Sequence, residues 1–346
     1  MRWGLLRVAG SGAACPPGEG CAPFLPVRFD PHENLVPMSF GESFLNYPDL
    51  FPARSSGEPW GDEQVMIRFA GNVYAWVGLS AIQATAARQR FGELCLPPDE
   101  ESPAAVEIQV FRATADDFFD NGRVWSFELD LDYAPDAVSI AGFHFMARLD
   151  WMPGLRAALW TSEDSRLVSH SIFENFFRVV VAYHLFEQGG VLLHSSAAVV
   201  NGDDAYVFFG PSGAGKSTIS YLSFAAGHAV LSDDMNALRV TSAAVMVEKL
   251  PFAGDFGQTV GGADGFYPVR ALCRLEKGPD PTLQILRPAA AVAALLGCAP
   301  FINRNPYRRD QLFDQLQVLN ARLPVRTLTF ARDDRFWALL RSGENS

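Results

Sequence analysis

Cysteine is scarce: positions 15, 21, 95, 273 and 298 hold all five in 346 residues, with no C-x-x-C pair among them. An odd, scattered set of this kind speaks against a disulfide framework and against a cysteine-based zinc site. Long hydrophobic runs are missing too. The apolar stretch after Met1-Arg2 breaks at Arg7 and at Gly10-Ser11-Gly12 before it reaches signal-peptide length, and no later run approaches the roughly 18 uncharged apolar residues of a membrane span. Positive charge is outnumbered, 28 Lys and Arg against 39 Asp and Glu for a net charge of −11. That balance argues against nucleic acid as the main partner while leaving room for a local basic pocket. No internal repeat or low-complexity array divides the chain. The expected address is the cytoplasm, with no membrane association.

What is present is an ordinary globular composition, 49% hydrophobic and 19% charged, far from the regime of disorder. Residues 10–63 are rich in Gly, Pro and Ser and show little periodicity. From Val65 to Leu79 the pattern predicts two short strands turning at Gly71-Asn72, followed by a helix over Ser80 to Leu94 with Ser80 as its cap. Beyond the Pro97 to Pro103 break, "AVEIQVFRA", "RVWSFELDLDY" and "AVSIAGFHFMARLD" alternate like strands of a mainly antiparallel sheet. "SIFENFFRVVVAYHLFEQ", Ser171 to Gln188, is apolar on almost every side and reads as a buried helix ended by Gly189-Gly190. A boundary near residue 165 then gives an α+β N-terminal domain, 1–165, possibly for substrate recognition, and an α/β catalytic domain, 166–346.

The second half opens with two apolar runs joined at Asn201-Gly202, a strong hairpin signal. Then comes Gly210-Pro-Ser-Gly-Ala-Gly-Lys-Ser, which satisfies the phosphate-loop pattern G-x-x-x-x-G-K-[ST] in a strand-loop-helix setting. Gly210, Gly213 and Gly215 let backbone N–H groups converge on phosphate oxygens, and Ser212, Ala214 and Thr218 complete the nucleotide-binding segment. Lys216 reaches the β and γ phosphates in this reading, and the Ser217 hydroxyl ligates magnesium. ATP and Mg²⁺ are the expected cofactors.

One short helix later, Ser232-Asp233-Asp234 places two carboxylates at the end of the next strand. Close carboxylates repel unless a cation intervenes. With magnesium between them, one holds the ion and the other takes the proton of an attacking hydroxyl; the same triplet also makes a good helix cap. His194, on the strand before the loop, reads equally as a packed core residue or as a partner of Asp233 that orients the acceptor.

"LLHSSAAVVNGDDAYVFFGPSGAGKSTISYLSFAAGHAVLSDD" resembles the catalytic domain of the HPr kinase/phosphorylase family, itself similar to ATP-dependent phosphoenolpyruvate carboxykinases. The resemblance implies a P-loop α/β core, with Gly210 to Thr218 as nucleotide loop, His194 beside the active site, Asp233 as general base and Asp234 on the metal side. "PFAGDFG" and "PVRALCRLEKG" are similar to segments of related proteins, which makes Asp255 a metal candidate and Arg270 a phosphate candidate. Thr218 stands where family members usually carry an acidic residue. The family also assembles as homo-oligomers. Downstream, Arg304, Arg308 and Arg309 are candidates to stabilise charge on the transferring phosphoryl group, or simply a solvated basic helix start.

The expected activity is therefore transfer of the γ-phosphate of ATP to a hydroxyl, serine of a protein or peptide in the first place. A kinase of small-molecule hydroxyl acceptors and a non-catalytic ATP-binding regulatory module are the alternatives.

Overall fold

Asn201 and Gly202 adopt φ of 53° and 82°, the left-handed pair that turns one strand tightly onto the next. They join β8 (Val191–Val200) to β9 (Asp204–Phe209), which pair antiparallel from Val200↔Asp204 to Ser195↔Phe209. A second local hairpin, closed by the Thr241 N–H on the Ala244 carbonyl at 2.9 Å, joins β11 (Met235–Val240) to β12 (Val245–Lys249). The structure, a computed structural model, describes residues 57–98, 100, 102–113, 129–142, 145–152, 154–162, 164, 166–252, 254, 256 and 265–342.

These hairpins overturn the expected α/β core. With the long strand β13 (Phe266–Lys277), they close into a five-strand ring in which β8 pairs β11, β11 pairs β12, β12 pairs β13, β13 pairs β9 and β9 returns to β8. Hairpin connections need no crossover helix. A single β-loop-α-β unit, from β9 through helix α3 (Lys216–Ala225) to β10 (Ala229–Ser232), was therefore an insufficient sign of a layered α/β domain. β10 attaches to β8, and β15 (Arg326–Phe330) and β14 (Thr282–Ile285) extend the sheet beyond β13.

The first half is a seven-stranded sheet in the order β1-β2-β3-β7-β6-β5-β4. Its strands are β1 (Glu63–Phe69), β2 (Asn72–Leu79), β3 (Val106–Arg112), β4 (Asp130–Tyr133), β5 (Ala137–Gly142), β6 (Phe145–Asp150) and β7 (Arg156–Thr161). "AVSIAGFHFMARLD" is thus a hairpin rather than one strand. β3 is parallel to both its neighbours, because the β2-to-β3 connection carries helix α1 (Ala81–Phe91) and is long enough to cross over. α1 begins with Ser80 accepting from the Gln83 N–H while the Gln83 side chain accepts from the Ser80 N–H, a capping box. Six α-helices among the described residues, set against fifteen strands, make the chain predominantly β.

Helix α2 (Arg166–Glu187) runs through the middle. Phe176, Phe177 and the run Val179 to Ala182 have no exposed surface, and one hydrophobic cluster continues from Tyr74 and Trp76 of the first sheet through α2 to Val207 and Leu272 of the ring. A helix apolar on every side must be enclosed in this way. Phe177 meets Phe69, Tyr74, Trp76, Phe91 and Phe252 edge-on, which ties both sheets to it. Helices α4 (Pro288–Cys298) and α5 (Arg309–Arg322) pack on this core, and α6 (Arg335–Ser342) sets Phe336, Trp337 and Leu340 into a second cluster with Phe208, Ile219 and Phe330.

His184, a buried polar side chain near the end of α2, sits between two partners. His184 Nδ1 lies 2.9 Å from the Tyr74 hydroxyl and Nε2 lies 3.0 Å from the Gln188 amide. Burial lowers His184 from 6.5 to about 4, and Arg239 pushes the same way. The unfolded chain therefore binds this proton more readily than the folded one, so the contribution to stability is whole above about pH 6.5 and is lost as pH falls toward about 4. Denaturant unfolding at pH 7 and pH 5 should show His184→Gln losing less stability than wild type across that interval.

Candidate functional site

The carboxyl end of β9 delivers the chain into the phosphate loop. Gly213 and Gly215 have φ of 79° and 109°, and a Cβ on Gly215 would come within 2.8 Å of the Phe330 ring, so a side chain is excluded at 215 on both grounds. Gly215 caps α3 without a side-chain hydrogen bond. The first-turn N–H groups of that helix consequently point outward with no capping oxygen, the ordinary setting for an anion. Ser212 and Ser217 are exposed and Thr218 is half-buried. Lys216 is buried and donates to the carbonyls of Gly210 at 3.0 Å and Pro211 at 3.3 Å.

Pairing of strands brings the acidic residues to the same edge. Ser195 is opposite Phe209, the last residue before the loop, and His194 is opposite Met235. Asp233 and Asp234 occupy the short link between β10 and β11, whose shape is set by Ser232: its hydroxyl donates to the Phe252 carbonyl and accepts from the N–H groups of Asp234 and Met235. Both carboxylates are buried. Asp233 accepts from the Gly254 N–H at 2.9 Å on one oxygen and from the Phe256 N–H at 3.0 Å on the other. A Cβ on Gly254 would lie 2.8 Å from that carboxylate, so the approach requires glycine there.

Asp234 faces differently. Its Oδ2 is 3.0 Å from the Arg178 guanidinium and its Oδ1 is 3.6 Å from His194 Nε2. The Arg178 contact is an ion pair whose angle does not make a hydrogen bond, since the same Oδ2 has none. Burial raises the Asp234 carboxyl, against the pull of Arg178, and Asp233 and Glu174 raise it further. Burial lowers the Lys216 ammonium, opposed by Cys298, Asp234 and Asp233. His194 is driven down to about 3, by burial first and then by the Lys216 and Arg178 cations, so its ring is neutral here.

No family model and no curated protein matches this chain.

Of the residues singled out from sequence, Gly210 to Thr218, His194, Asp233 and Asp234 come together at this edge, and Lys216 is in electrostatic reach of both aspartates. The partner of His194 is Asp234, not Asp233. The pairing of β10 with β8 is irregular between Val230 and Ser232, which upsets the odd-even alternation that a regular strand would impose. Asp255 lies outside the described residues. Arg270 pairs with Asp204, the first residue of β9, and so sits at the end of that strand remote from the loop. Arg308 is held by Glu187 at 3.2 Å and lies over the Trp151 ring at 4.6 Å, at the far end of α2. Arg304 and Arg309 are exposed, at the end of a short 3₁₀ turn (Ile302–Arg304) and at the start of α5; none of the three joins the loop.

Sequence reasoning missed the arginine that does join the site. Arg178 contacts Asp234 and, one turn back, Glu174 at 2.8 Å. Glu174 in turn holds Arg90 of α1 at 2.8 Å, and Arg90 donates to the Pro251 carbonyl at 2.9 Å. The signal was available: Glu174 and Arg178 stand four apart in a helix apolar on almost every side, and charges in such a helix are enclosed only when paired. Arg274, opposite Phe209 in the register and paired with Glu276, and Cys298, whose sulfur accepts from the Gly210 N–H, are two more neighbours of the loop.

Among the described residues no group of three or more His, Cys, Asp and Glu side chains is arranged to hold a metal. None is needed for Mg²⁺ that arrives with a nucleotide, because phosphate oxygens and water supply most of its six ligands and one or two protein oxygens suffice. The exposed Ser217 hydroxyl fits that part, and Asp234 would join it through Oδ1, since its Oδ2 lies 3.0 Å from the Arg178 guanidinium. Among the described residues no helix is long and apolar enough to cross a membrane.

Proposed function

We propose that this protein is an ATP- and magnesium-dependent kinase that transfers the γ-phosphate to a hydroxyl, in the first place a serine hydroxyl of a protein or peptide. The supporting observation is the meeting of the phosphate loop and the acidic pair at one edge of the ring, with Lys216 in electrostatic reach of both carboxylates. The resemblance of the His194 to Asp234 stretch to HPr kinases points the same way. The cytoplasm, where ATP is plentiful, is the proposed location.

In this reading the loop N–H groups, the α3 terminus and Lys216 hold the phosphates. Ser217 and Asp234 would hold magnesium, which would supply neutralisation of the phosphate charge. The acceptor oxygen attacks the γ-phosphorus. As the new O–P bond forms, the bond to the β,γ-bridging oxygen breaks, ADP leaves with that electron pair, and the hydroxyl proton passes to Asp233. Two backbone donors orient the Asp233 carboxylate. Arg178 and neutral His194 position Asp234 beside it.

Labelled ATP presented with lysate proteins, peptides encoded by adjacent genes and small hydroxyl metabolites tests the proposal. Asp233→Asn should lower transfer by on the order of 10²- to 10⁴-fold while ATP binding persists. Label confined to metabolites would reassign the acceptor class. ATP binding with no labelled acceptor at all would leave a nucleotide-binding module and end the kinase reading.

A further inference from the structure

α1 lies in the connection between two strands of the first sheet, yet a side chain in its last turn reaches toward the acidic pair of the second half. Arg90 Nε donates to one Glu174 oxygen at 2.8 Å, and its Nη2 donates to the Pro251 carbonyl at 2.9 Å. Each contact leads to one of the two aspartates.

Through Glu174 the path runs to Asp234. The other Glu174 oxygen accepts from Arg178 Nη2 at 2.8 Å, and the same nitrogen lies 3.0 Å from Asp234 Oδ2. Cation and carboxylate alternate along the four side chains, while exposure falls from 20% at Arg90 and 16% at Glu174 to 7% at Arg178 and 5% at Asp234. Charges enclosed to this degree are costly unless each faces its counterpart. With Arg90 on Glu174, the Arg178 guanidinium stays turned to Asp234.

Through Pro251 the path runs to Asp233. Arg90 fixes the carbonyl of residue 251, the Ser232 hydroxyl fixes that of Phe252 at 3.0 Å, and the N–H groups of Gly254 and Phe256 hold both oxygens of Asp233. Phe252 also has the Arg178 guanidinium 5.5 Å from its ring centroid and Phe177 edge-on. The stretch that orients the Asp233 carboxylate thus begins at an anchor supplied by α1.

Building on the kinase reading, we propose that Arg90 is a positioning residue for phosphoryl transfer, setting Asp234 through Glu174 and Arg178, and Asp233 through the Pro251 carbonyl. The catalytic half is therefore incomplete without α1. Arg88, in the same last turn, offers the contrast: it donates to Glu63 and to the Gln64 carbonyl, both at 3.1 Å, and so serves β1 instead.

The test measures, on the full chain, Mn²⁺ affinity at saturating ATP by electron paramagnetic resonance, metal-free ATP binding and melting by calorimetry, and kcat by labelled-phosphate transfer. Arg90→Met should weaken Mn²⁺ and lower kcat by about 10- to 100-fold each, and leave metal-free ATP within about twofold. Arg90→Lys, which can meet Glu174 or the Pro251 carbonyl but not both, should fall between. Arg88→Met should match wild type throughout. If Arg90→Met only melts lower, with Mn²⁺ affinity and kcat per folded molecule at wild-type values, Arg90 serves stability alone and the proposal is overturned. Loss of metal-free ATP binding along with Mn²⁺ would overturn it too, as the mark of a disturbed fold. A wild type that binds Mn²⁺·ATP but labels no acceptor ends the kinase reading by itself; the hold of Arg90 on the carboxylates then stands on a tenfold Mn²⁺ loss in Arg90→Met and falls on equal affinity. A wild type that binds no Mn²⁺·ATP removes both.

Discussion

Lys216→Met should reduce phosphoryl transfer by on the order of 10²- to 10³-fold or more and leave the melting temperature unchanged or raised. The two halves of that expectation have one cause. Lys216 is buried, and burial works against its ammonium charge even with Cys298, Asp234 and Asp233 opposing. In the protein alone the charge is a burden on the fold, relieved only in part by the Gly210 and Pro211 carbonyls. Methionine keeps the apolar stem and removes the burden. With phosphates on the loop the same ammonium becomes the nearest compensating charge, worth most where water is excluded. Calorimetric melting beside a labelled-phosphate assay separates the two effects. A variant that melts as wild type and still transfers phosphate would remove Lys216 from the chemistry.

Arg178→Ala should destabilise the fold by about 3 kcal/mol or more. Arg178 and Asp234 are both buried, so removing the cation strands one carboxylate beside Asp233 and takes from Glu174 its ion pair one turn along the helix. It also removes the guanidinium that lies 5.5 Å from the Phe252 ring centroid. Replacing both charges tests the explanation. Urea unfolding of Arg178→Met combined with Asp234→Asn should recover much of the loss, a non-additivity that marks direct coupling. Arg178→Lys keeps charge but not the fork that spans Glu174 and Asp234, and should fall between. Equal unfolding midpoints for wild type and Arg178→Ala would show that this pair does not hold the link between β10 and β11.

The elements legible in the sequence were those set by neighbours along the chain. Ser80 announced α1 because its capping box closes within three residues, and Asn201-Gly202 announced the β8–β9 hairpin because only left-handed backbone makes that turn. The glycine loop showed itself for the same reason. The closed ring did not, since it depends on β13 meeting β9 across some sixty residues and β12 on its other side, and periodicity within a strand carries no record of its partner. The parallel placement of β3 was equally hidden. Within the site, the residue types at the loop and at Asp233-Asp234 were legible, whereas their orientation was not: the irregular register before Ser232 turns Asp234 to His194 and Asp233 to the N–H groups of Gly254 and Phe256. Arg178 escaped because a helix read as uniformly apolar was read as packing alone.

Manganese binding followed by electron paramagnetic resonance, with and without ATP, puts the whole account to its most direct test. Wild type should hold Mn²⁺ tightly only when ATP is present, and Asp234→Asn should release the metal from the ternary complex while metal-free ATP still binds. If Mn²⁺·ATP binds identically to wild type and to Asp234→Asn and Asp233→Asn, the acidic pair does not face the nucleotide and the proposed chemistry has no site.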